Sequence, residues 1–251
     1  MSDVVILLPD GGAAAGSCPA ARVVVAKSRR PTEIDSVVAD MGTGDCVAVL
    51  PSDGMDPAMA RGMLDEARRR GRSLVTPVVG SRRGGRFFGG SFRTNGEGWF
   101  GFVPRTLPPG SEEVPCVFPG AYAASAAWHR LLRGHLGMNG CGGVPYVALS
   151  IKSWLCGGNC VVDRRTTLPL VDVPAGSRDE DGADALVLAL AVVGGRDGHA
   201  AAGEITHGVL DGRMTAFAAR GACLVEYDHM RRTEFKTDLD GVLRSLEGHR
   251  R

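Results

Sequence analysis

Residues 134–158 read GHLGMNGCGGVPYVALSIKSWLCGG, and their pattern predicts a loop, a turn and one helix. The turn is the pair Gly142-Gly143, and a second pair, Gly157-Gly158, closes the segment. Apolar residues between the two pairs recur at helical spacing, and glycine is typical just after a helix ends. We therefore expect one amphipathic helix between two glycine turns.

Short apolar runs, separated by helical patterns, precede this segment. Pro31 stands where a first helix begins, and Asp56 is a plausible N-cap with Pro57 at the first helical position of a second. Strands that alternate with helices indicate an α/β fold with a mostly parallel sheet covered by helices. The predicted strands are 4–8, 23–25, 46–50 and 74–79, with a hairpin around 99–102.

Composition limits the protein class. The chain has 251 residues and a formal net charge of +1, so a polyanion would have to bind at a local basic patch. No apolar run reaches 18 residues, and no basic segment precedes the first apolar run. These features favour a cytoplasmic protein without a membrane span.

The seven cysteines contain no CxxC pair. We expect reduced, mostly buried thiols, which behave as small apolar side chains. A zinc site that joins Cys156 and Cys160 to His129 or His135 is the alternative.

The opening segment resembles the acceptor-side stretch of the polypeptide N-acetylgalactosaminyltransferase-like branch of GT-A glycosyltransferases. That stretch runs roughly G-M-D-x-W-G-G-E-N-x-E-L-S-x-R-x-W-x-C-G-G, and this chain has one additional residue before Leu149. The matching positions are Gly137, Met138, Gly142, Gly143, Leu149, Ser150, Lys152, Trp154, Cys156, Gly157 and Gly158.

Other segments are similar to the same branch, in the same order, across residues 3–172. They are 43–50, 75–79 and Phe118-Pro119-Gly120-Ala121-Tyr122-Ala123-Ala124. The resemblance implies a GT-A-like, Rossmann-like sheet that is shortened at its N-terminus. It further implies a catalytic core over residues 1–173 and a C-terminal extension, 174–251, packed on the same domain.

GT-A enzymes commonly hold Mn²⁺ or Mg²⁺ with a D-x-D or D-x-H motif at the end of a strand. The corresponding triplet here is Pro51-Ser52-Asp53, so Asp53 is the implied metal ligand and Asp56 a possible second one. Val144-Pro145 replaces the Glu-Asn of the family, and the family's later metal-binding histidine falls near Leu170, where Asp172 is the nearest ionisable residue.

The resemblance also implies a binding site for a nucleotide-sugar donor, most simply a UDP-sugar. Asp53 alternatively caps the next helix, Asp10 alternatively forms a turn, and His135 is either a general base or an ordinary surface histidine. The candidate catalytic residues are Asp53, His135 and Asp172, and the candidate donor-binding residues are Asp10, Ser52, Asp53, Gly120, Ala121, Gly142 and Gly143.

Residues 82–93 combine four arginines with three phenylalanines and several glycines. This mixture suits phosphate contacts with base stacking, and it equally suits a loop that closes over a donor diphosphate. Trp154 has the helical spacing of a core residue, with an acceptor platform as the alternative. The candidate acceptor-binding residues are Arg82, Arg83, Arg86, Phe87, Phe88, Arg93, Tyr146 and Trp154.

The leading hypothesis is a glycosyltransferase that moves a sugar to a hydroxyl acceptor. Small members of this branch include phage enzymes that modify hydroxymethylated bases in DNA, so DNA is the first acceptor to consider. A catalytically silent relative that binds nucleic acid or a partner enzyme is one alternative. A transferase for a protein or polysaccharide is the other.

Overall fold

A computed structural model describes residues 3–8, 21–28, 30–51, 56–80, 85–94, 100–106, 112–135, 138, 143–170, 226 and 229–238. Its four α-helices are α1 (Pro31–Ala39), α2 (Arg61–Arg70), α3 (Ala126–Leu131) and α4 (Val144–Leu155). A 3-10 turn, Pro57–Ala60, precedes α2. The strands are β1 (Val4–Leu8), β2 (Arg22–Val25), β3 (Cys46–Pro51), β4 (Ser73–Gly80), β5 (Arg86–Phe88), β6 (Gly90–Thr94), β7 (Phe100–Pro104), β8 (Tyr122–Ser125) and β9 (Asn159–Leu170).

Seven of these strands form one mixed sheet in the order β2-β1-β3-β8-β4-β5, with β9 also paired to β4. Five of the seven run in one direction, because only β8 and β5 pair antiparallel with their neighbours. Strands β6 and β7 form a separate antiparallel pair. The predicted α/β class with a mostly parallel sheet is therefore confirmed.

Both faces of the sheet are buried. In β1, Val4, Ile6 and Leu8 join one apolar cluster, while Val5 and Leu7 join the other. Helices α1, α3 and α4 contribute to the first cluster, and α2 contributes to the second. This arrangement explains why the strands read as continuous apolar runs rather than as alternating patterns.

The ends of the helices follow local signals in the sequence. Pro31 is the first residue of α1, and the Asp56 side chain accepts a hydrogen bond from Ala58 N at the start of the 3-10 turn. Helix α2 ends at Arg70, and the next residue, Gly71, has a φ of +69° that glycine adopts at low cost.

Helix α4 lies where the sequence predicts it, but the expectation that it is amphipathic is wrong. All of its residues are buried, including Ser150, Lys152 and Ser153. Their polar atoms bond within the protein: Ser150 Oγ donates to Tyr146 O, and Ser153 Oγ donates to Asn159 O. The helix is thus a central core element rather than a surface element.

The described part of the C-terminal region contacts this core. Met230 is fully buried in the first apolar cluster, and Lys236 N donates to Leu155 O over 2.6 Å. The division into 1–173 and 174–251 stays a prediction, and most of the second range lies outside the described residues. Within the described part of the chain, no helix is long and apolar enough to cross a bilayer.

Four cysteines are described, and all four are free, buried thiols, as expected. They are Cys46, Cys116, Cys156 and Cys160. Burial raises the pKa of the Cys46 and Cys156 thiols to about 11 and that of Cys160 to about 12. They are therefore neutral near pH 7.

Candidate functional site

The carboxyl edge of the parallel strands is the first candidate site. Strands β1 and β3 are parallel neighbours, and their last paired residues are Leu8 and Pro51. Asp10 and Asp53 each follow two residues later in the sequence, and Asp172 follows the end of β9 by the same interval. These three acids and Ser52 lie outside the described residues, so their roles stay predictions.

A turn next to β8 lies at the same edge. Phe118 and Ala121 form an isolated bridge, and Thr76 Oγ1 joins both ends by accepting from Phe118 N and donating to Ala121 O. Gly120 has a φ of +70°, and a Cβ built there would lie 3.2 Å from Leu8 Cδ1. The turn that contains Gly120 and Ala121 therefore lies against the end of β1.

Arg86 adds a positive charge to this edge. Strand β9 pairs along the whole of one side of β4. Strands β8 and β5 both pair with the other side, where β5 lies beyond the first residue of β8. Arg86 is exposed and pairs with Gly80, the last residue of β4. Phe87 is half-buried, and its ring lies 6.1 Å from that of Phe118.

The remaining glycine and arginine candidates are only partly described. Gly143 precedes α4 and packs against Phe102 so closely that no Cβ fits there. Phe88 is half-buried and packs on the first apolar cluster. Arg93 lies in β6, but its side chain is outside the described part of the structure. Gly142, Arg82 and Arg83 also lie outside the described residues.

The histidine candidate contacts helix α1. His135 is fully buried, so the expectation of an ordinary surface histidine is wrong. Its Nδ1 lies 2.9 Å from Asp35 Oδ1, and its backbone N donates to both oxygens of that carboxylate at 3.0 and 3.1 Å. A general base must reach the proton that it removes. That role for His135 stays a prediction, since its ring is fully buried and its described contacts are with protein side chains.

His135 belongs to a buried polar cluster that the sequence pattern does not predict. The hydroxyl of Tyr122 lies 3.1 Å from His129 Nε2 and 3.5 Å from His135 Nε2. His129 Nε2 lies 3.7 Å from Asp35 Oδ1. The metal-binding atoms of Asp35, His129 and His135 all lie within 4.8 Å of one another, whereas Cys156 and Cys160 are not part of this group. Asp35 lies within an ordinary helical pattern, so its neighbours in the sequence do not identify it as a site residue.

A buried lysine completes the cluster. Lys152 has no exposed surface, and its Nζ donates to Leu132 O over 2.8 Å and also to Gly134 O. Asp35 and Lys152 together hold the backbone of residues 132–135 from two sides. The chain then enters the segment that leads to α4.

The surroundings change the pKa values of these groups. Burial alone would raise the pKa of Asp35, but interactions with His135, His129 and Lys152 outweigh it and hold that pKa below its usual value. Burial lowers the pKa of His129 to about 3 and raises the pKa of Tyr122 well above its usual range. At neutral pH the Asp35 carboxylate is therefore ionised, while His129 and Tyr122 are neutral.

Two acceptor candidates are core residues in this structure. Tyr146 is 1% exposed, and its ring centroid lies 5.2 Å from that of His135. Trp154 is 8% exposed, and its Nε1 donates to Pro115 O over 3.1 Å. The burial of Trp154 favours the core role that its helical spacing also favours, and the acceptor roles stay predictions.

Comparison with known proteins finds similarity among solved structures. No protein-family model matches this chain, and no curated protein matches it. Among solved structures, the chain is similar to a crystal structure of GalNAc-T7 with UDP, GalNAc and Mn²⁺, with 13% sequence identity and a TM-score of 0.45. That match covers 61% of this chain and spans 32% of the length of the other.

Proposed function

We propose that this protein transfers a sugar from a nucleotide diphosphate sugar to a hydroxyl acceptor at the carboxyl edge of its sheet. The observation that carries the proposal is the register of β1 and β3, which ends at Leu8 and Pro51. Asp10 and Asp53 each follow two residues later in the sequence, so we expect their carboxylates to lie close together at this edge. Ligands of open α/β sheets bind beyond the carboxyl ends of the strands.

We propose that Asp10 and Asp53 accept hydrogen bonds from donor hydroxyl groups, and that the Gly120 turn shapes the sugar pocket beside Leu8. In the reaction, the bond from the anomeric carbon to the diphosphate oxygen breaks, and the acceptor oxygen bonds to that carbon while the hydroxyl proton passes to solvent water. The departing diphosphate needs nearby positive charge.

The metal ion that the sequence resemblance implies does not fit the described part of this edge. Position 51 is a buried proline without a metal-binding side-chain atom, and it occupies the place of the motif's first carboxylate. We therefore propose arginine as the source of positive charge. Arg86 is exposed at this edge, and guanidinium groups bind phosphate oxygens with two parallel hydrogen bonds.

The acceptor that we propose first is the hydroxyl of a hydroxymethylated base in DNA. The supporting observation is the arginine-rich segment 82–93, in which the described residue Arg86 is exposed to solvent. Basic side chains beside a catalytic edge suit a polyanionic acceptor. A protein or polysaccharide acceptor would not need them.

A transfer assay tests both the proposed sugar transfer and the proposed DNA acceptor. The purified protein is incubated with UDP- and GDP-sugars, with and without Mn²⁺, beside DNA that contains hydroxymethylcytosine and beside plain DNA. Release of nucleotide would support sugar transfer or donor hydrolysis, and a sugar mass on the modified nucleoside would identify the acceptor.

Asp53→Asn and Asp56→Asn form a matched pair for this assay. Asp56 was a possible metal ligand, but we propose no metal ion at this edge, and its side chain caps the 3-10 turn. Asparagine is an equally good cap, so Asp56→Asn should keep wild-type activity. Asp53→Asn should lower kcat/KM at least tenfold. If no donor is turned over and none raises the melting temperature, the transferase proposal fails and a silent binding protein replaces it.

A further inference from the structure

The cluster of Asp35, His129 and His135 brings together three metal-binding side chains. They come from three places in the chain: the middle of α1, the helix α3 and the turn that follows α3. His129 and His135 are 1% and 0% exposed, and the side chain of Asp35 keeps 24% of its surface exposed.

The distances within this cluster suit a small metal ion. His129 Nε2 and Asp35 Oδ1 are 3.7 Å apart, which is too long for a hydrogen bond. In a tetrahedral zinc site with bonds of about 2.1 Å, neighbouring ligand atoms are roughly 3.4 Å apart. The 2.9 Å between His135 Nδ1 and Asp35 Oδ1 would open by about 0.5 Å to reach that spacing.

We propose that Asp35, His129 and His135 bind one divalent transition-metal ion, zinc by preference, with water as the fourth ligand. Two imidazole nitrogens and one carboxylate oxygen are a typical zinc ligand set. The exposed part of Asp35 is where the ion and the water enter. The ion would join α1 to the turn that begins the segment before α4.

Groups around the cluster already hold the ligands in position. The backbone N of His135 donates to both oxygens of Asp35, which orients the carboxylate toward the histidines. When His135 binds through Nδ1, its Nε2 carries the proton and donates toward the Tyr122 hydroxyl, 3.5 Å away. The contact of that hydroxyl with His129 Nε2, 3.1 Å without the ion, is replaced by the bond from His129 to the ion. Metal ligands of this type are commonly oriented by such a second partner.

Lys152 limits the affinity of the site. Its ammonium group acts electrostatically on both Asp35 and His129, and it is buried. A nearby positive charge opposes binding of a cation, while two backbone carbonyls partly offset the charge of the lysine. The site should therefore bind zinc more weakly than a site with the same ligands and no lysine.

Direct metal binding tests the proposal without any assay of activity. Metal-stripped full-length protein is titrated with Zn²⁺, and with Co²⁺ to record the intense visible absorption of a tetrahedral complex. We expect one equivalent to bind in the wild type and in an Asp53→Asn background, which removes the candidate ligand at the strand edge. Asp35→Asn and His129→Gln should bind at least tenfold more weakly. His229→Gln, which changes an exposed histidine, should bind as the wild type does.

Nitrogen NMR of the wild-type histidines tests the proposal even if the variants fail to fold. Zinc should shift His135 Nδ1 and His129 Nε2, which face Asp35. Unchanged shifts in folded wild-type protein, or unchanged affinity in folded Asp35→Asn and His129→Gln, would overturn the proposal.

Discussion

Gly134 is a residue at which the polar cluster constrains the backbone. Its φ is +51°, a conformation that residues with a Cβ adopt at a cost. A Cβ built at this position would also overlap the Asp35 carboxylate. The same carboxylate accepts the backbone N–H of the next residue, so it cannot move aside without losing that bond.

Gly134→Ala should therefore destabilise the protein by about 3 kcal/mol, from backbone strain and steric overlap together. Gly71→Ala is the matched control, because Gly71 has a φ of +69° and no atom lies within 4 Å of its built Cβ. That control should cost about 1–2 kcal/mol, from backbone strain alone. Urea unfolding measures both, and equal losses would contradict the predicted overlap.

Lys152→Met tests how much the buried lysine contributes to stability. The change removes the donor for Leu132 O and Gly134 O, so two buried carbonyls lose a charged partner. We expect a loss of about 3 kcal/mol in the free energy of unfolding. Lys27→Met, at an exposed position, should stay within about 0.5 kcal/mol of the wild type. A comparably small change at Lys152 would show that methionine packs well enough to replace the network.

Helix α2 carries an ion-pair network that depends on one acid. Glu66 is buried and accepts hydrogen bonds from Arg69 Nε at 3.0 Å and Arg70 Nε at 2.5 Å, and Arg165 of β9 reaches it at 3.2 Å. The hydrogen bond from Arg69, with further help from Arg70, lowers the pKa of Glu66 to about 2. This residue thereby links the helix to the strand packed against it.

The stability that Glu66 contributes should depend on pH with a definite sign. Because its pKa is lower in the folded state than the usual 4.5, the contribution is complete above about pH 5 and disappears as the pH falls toward 2. Glu66→Gln should lower stability at pH 7 by roughly 1–3 kcal/mol and flatten this dependence. Asp65→Asn, at an exposed position on the same helix, is the control. Chemical unfolding from pH 7 to pH 3 provides the comparison, and parallel curves for wild type and Glu66→Gln would contradict the assignment.

At the scale of the whole molecule, the described C-terminal residues are joined to the core. Met230 is fully buried in the apolar cluster that also contains α4. Phe235 packs against the same cluster, and Lys236 N donates to the last residue of α4. These contacts predict that 229–238 unfold together with the sheet.

Met230→Ala should lower the free energy of unfolding by about 2–4 kcal/mol and keep a single transition. His229→Ala, which changes its exposed neighbour, should have little effect. Calorimetry distinguishes the outcomes. A separate low-temperature transition would show that this region unfolds independently of residues 1–173.

Local patterns in the sequence predicted β1, β3, β4 and the positions of α1 and α4. Each is a run of apolar residues bounded by proline, glycine or a capping acid, so nearest neighbours along the chain carry the signal. The prediction was wrong where the signal is not local. Helix α4 reads as amphipathic because it contains Ser150 and Lys152, and only the surrounding elements show that all of its faces are covered.

The amino-acid sequence by itself determined the α/β class, the strand runs, the helix ends and the acids that follow the strands, because each depends on residues close together in the chain. The tertiary structure alone decided the cluster at Asp35 and His135, which are 100 residues apart and meet because α1 and the turn after α3 pack on the same side of the sheet. It also decided that Arg86 lies at the carboxyl edge, since that position depends on how β5 pairs with β4. Pairing between distant segments is set by packing and hydrogen bonds that no short stretch of sequence encodes.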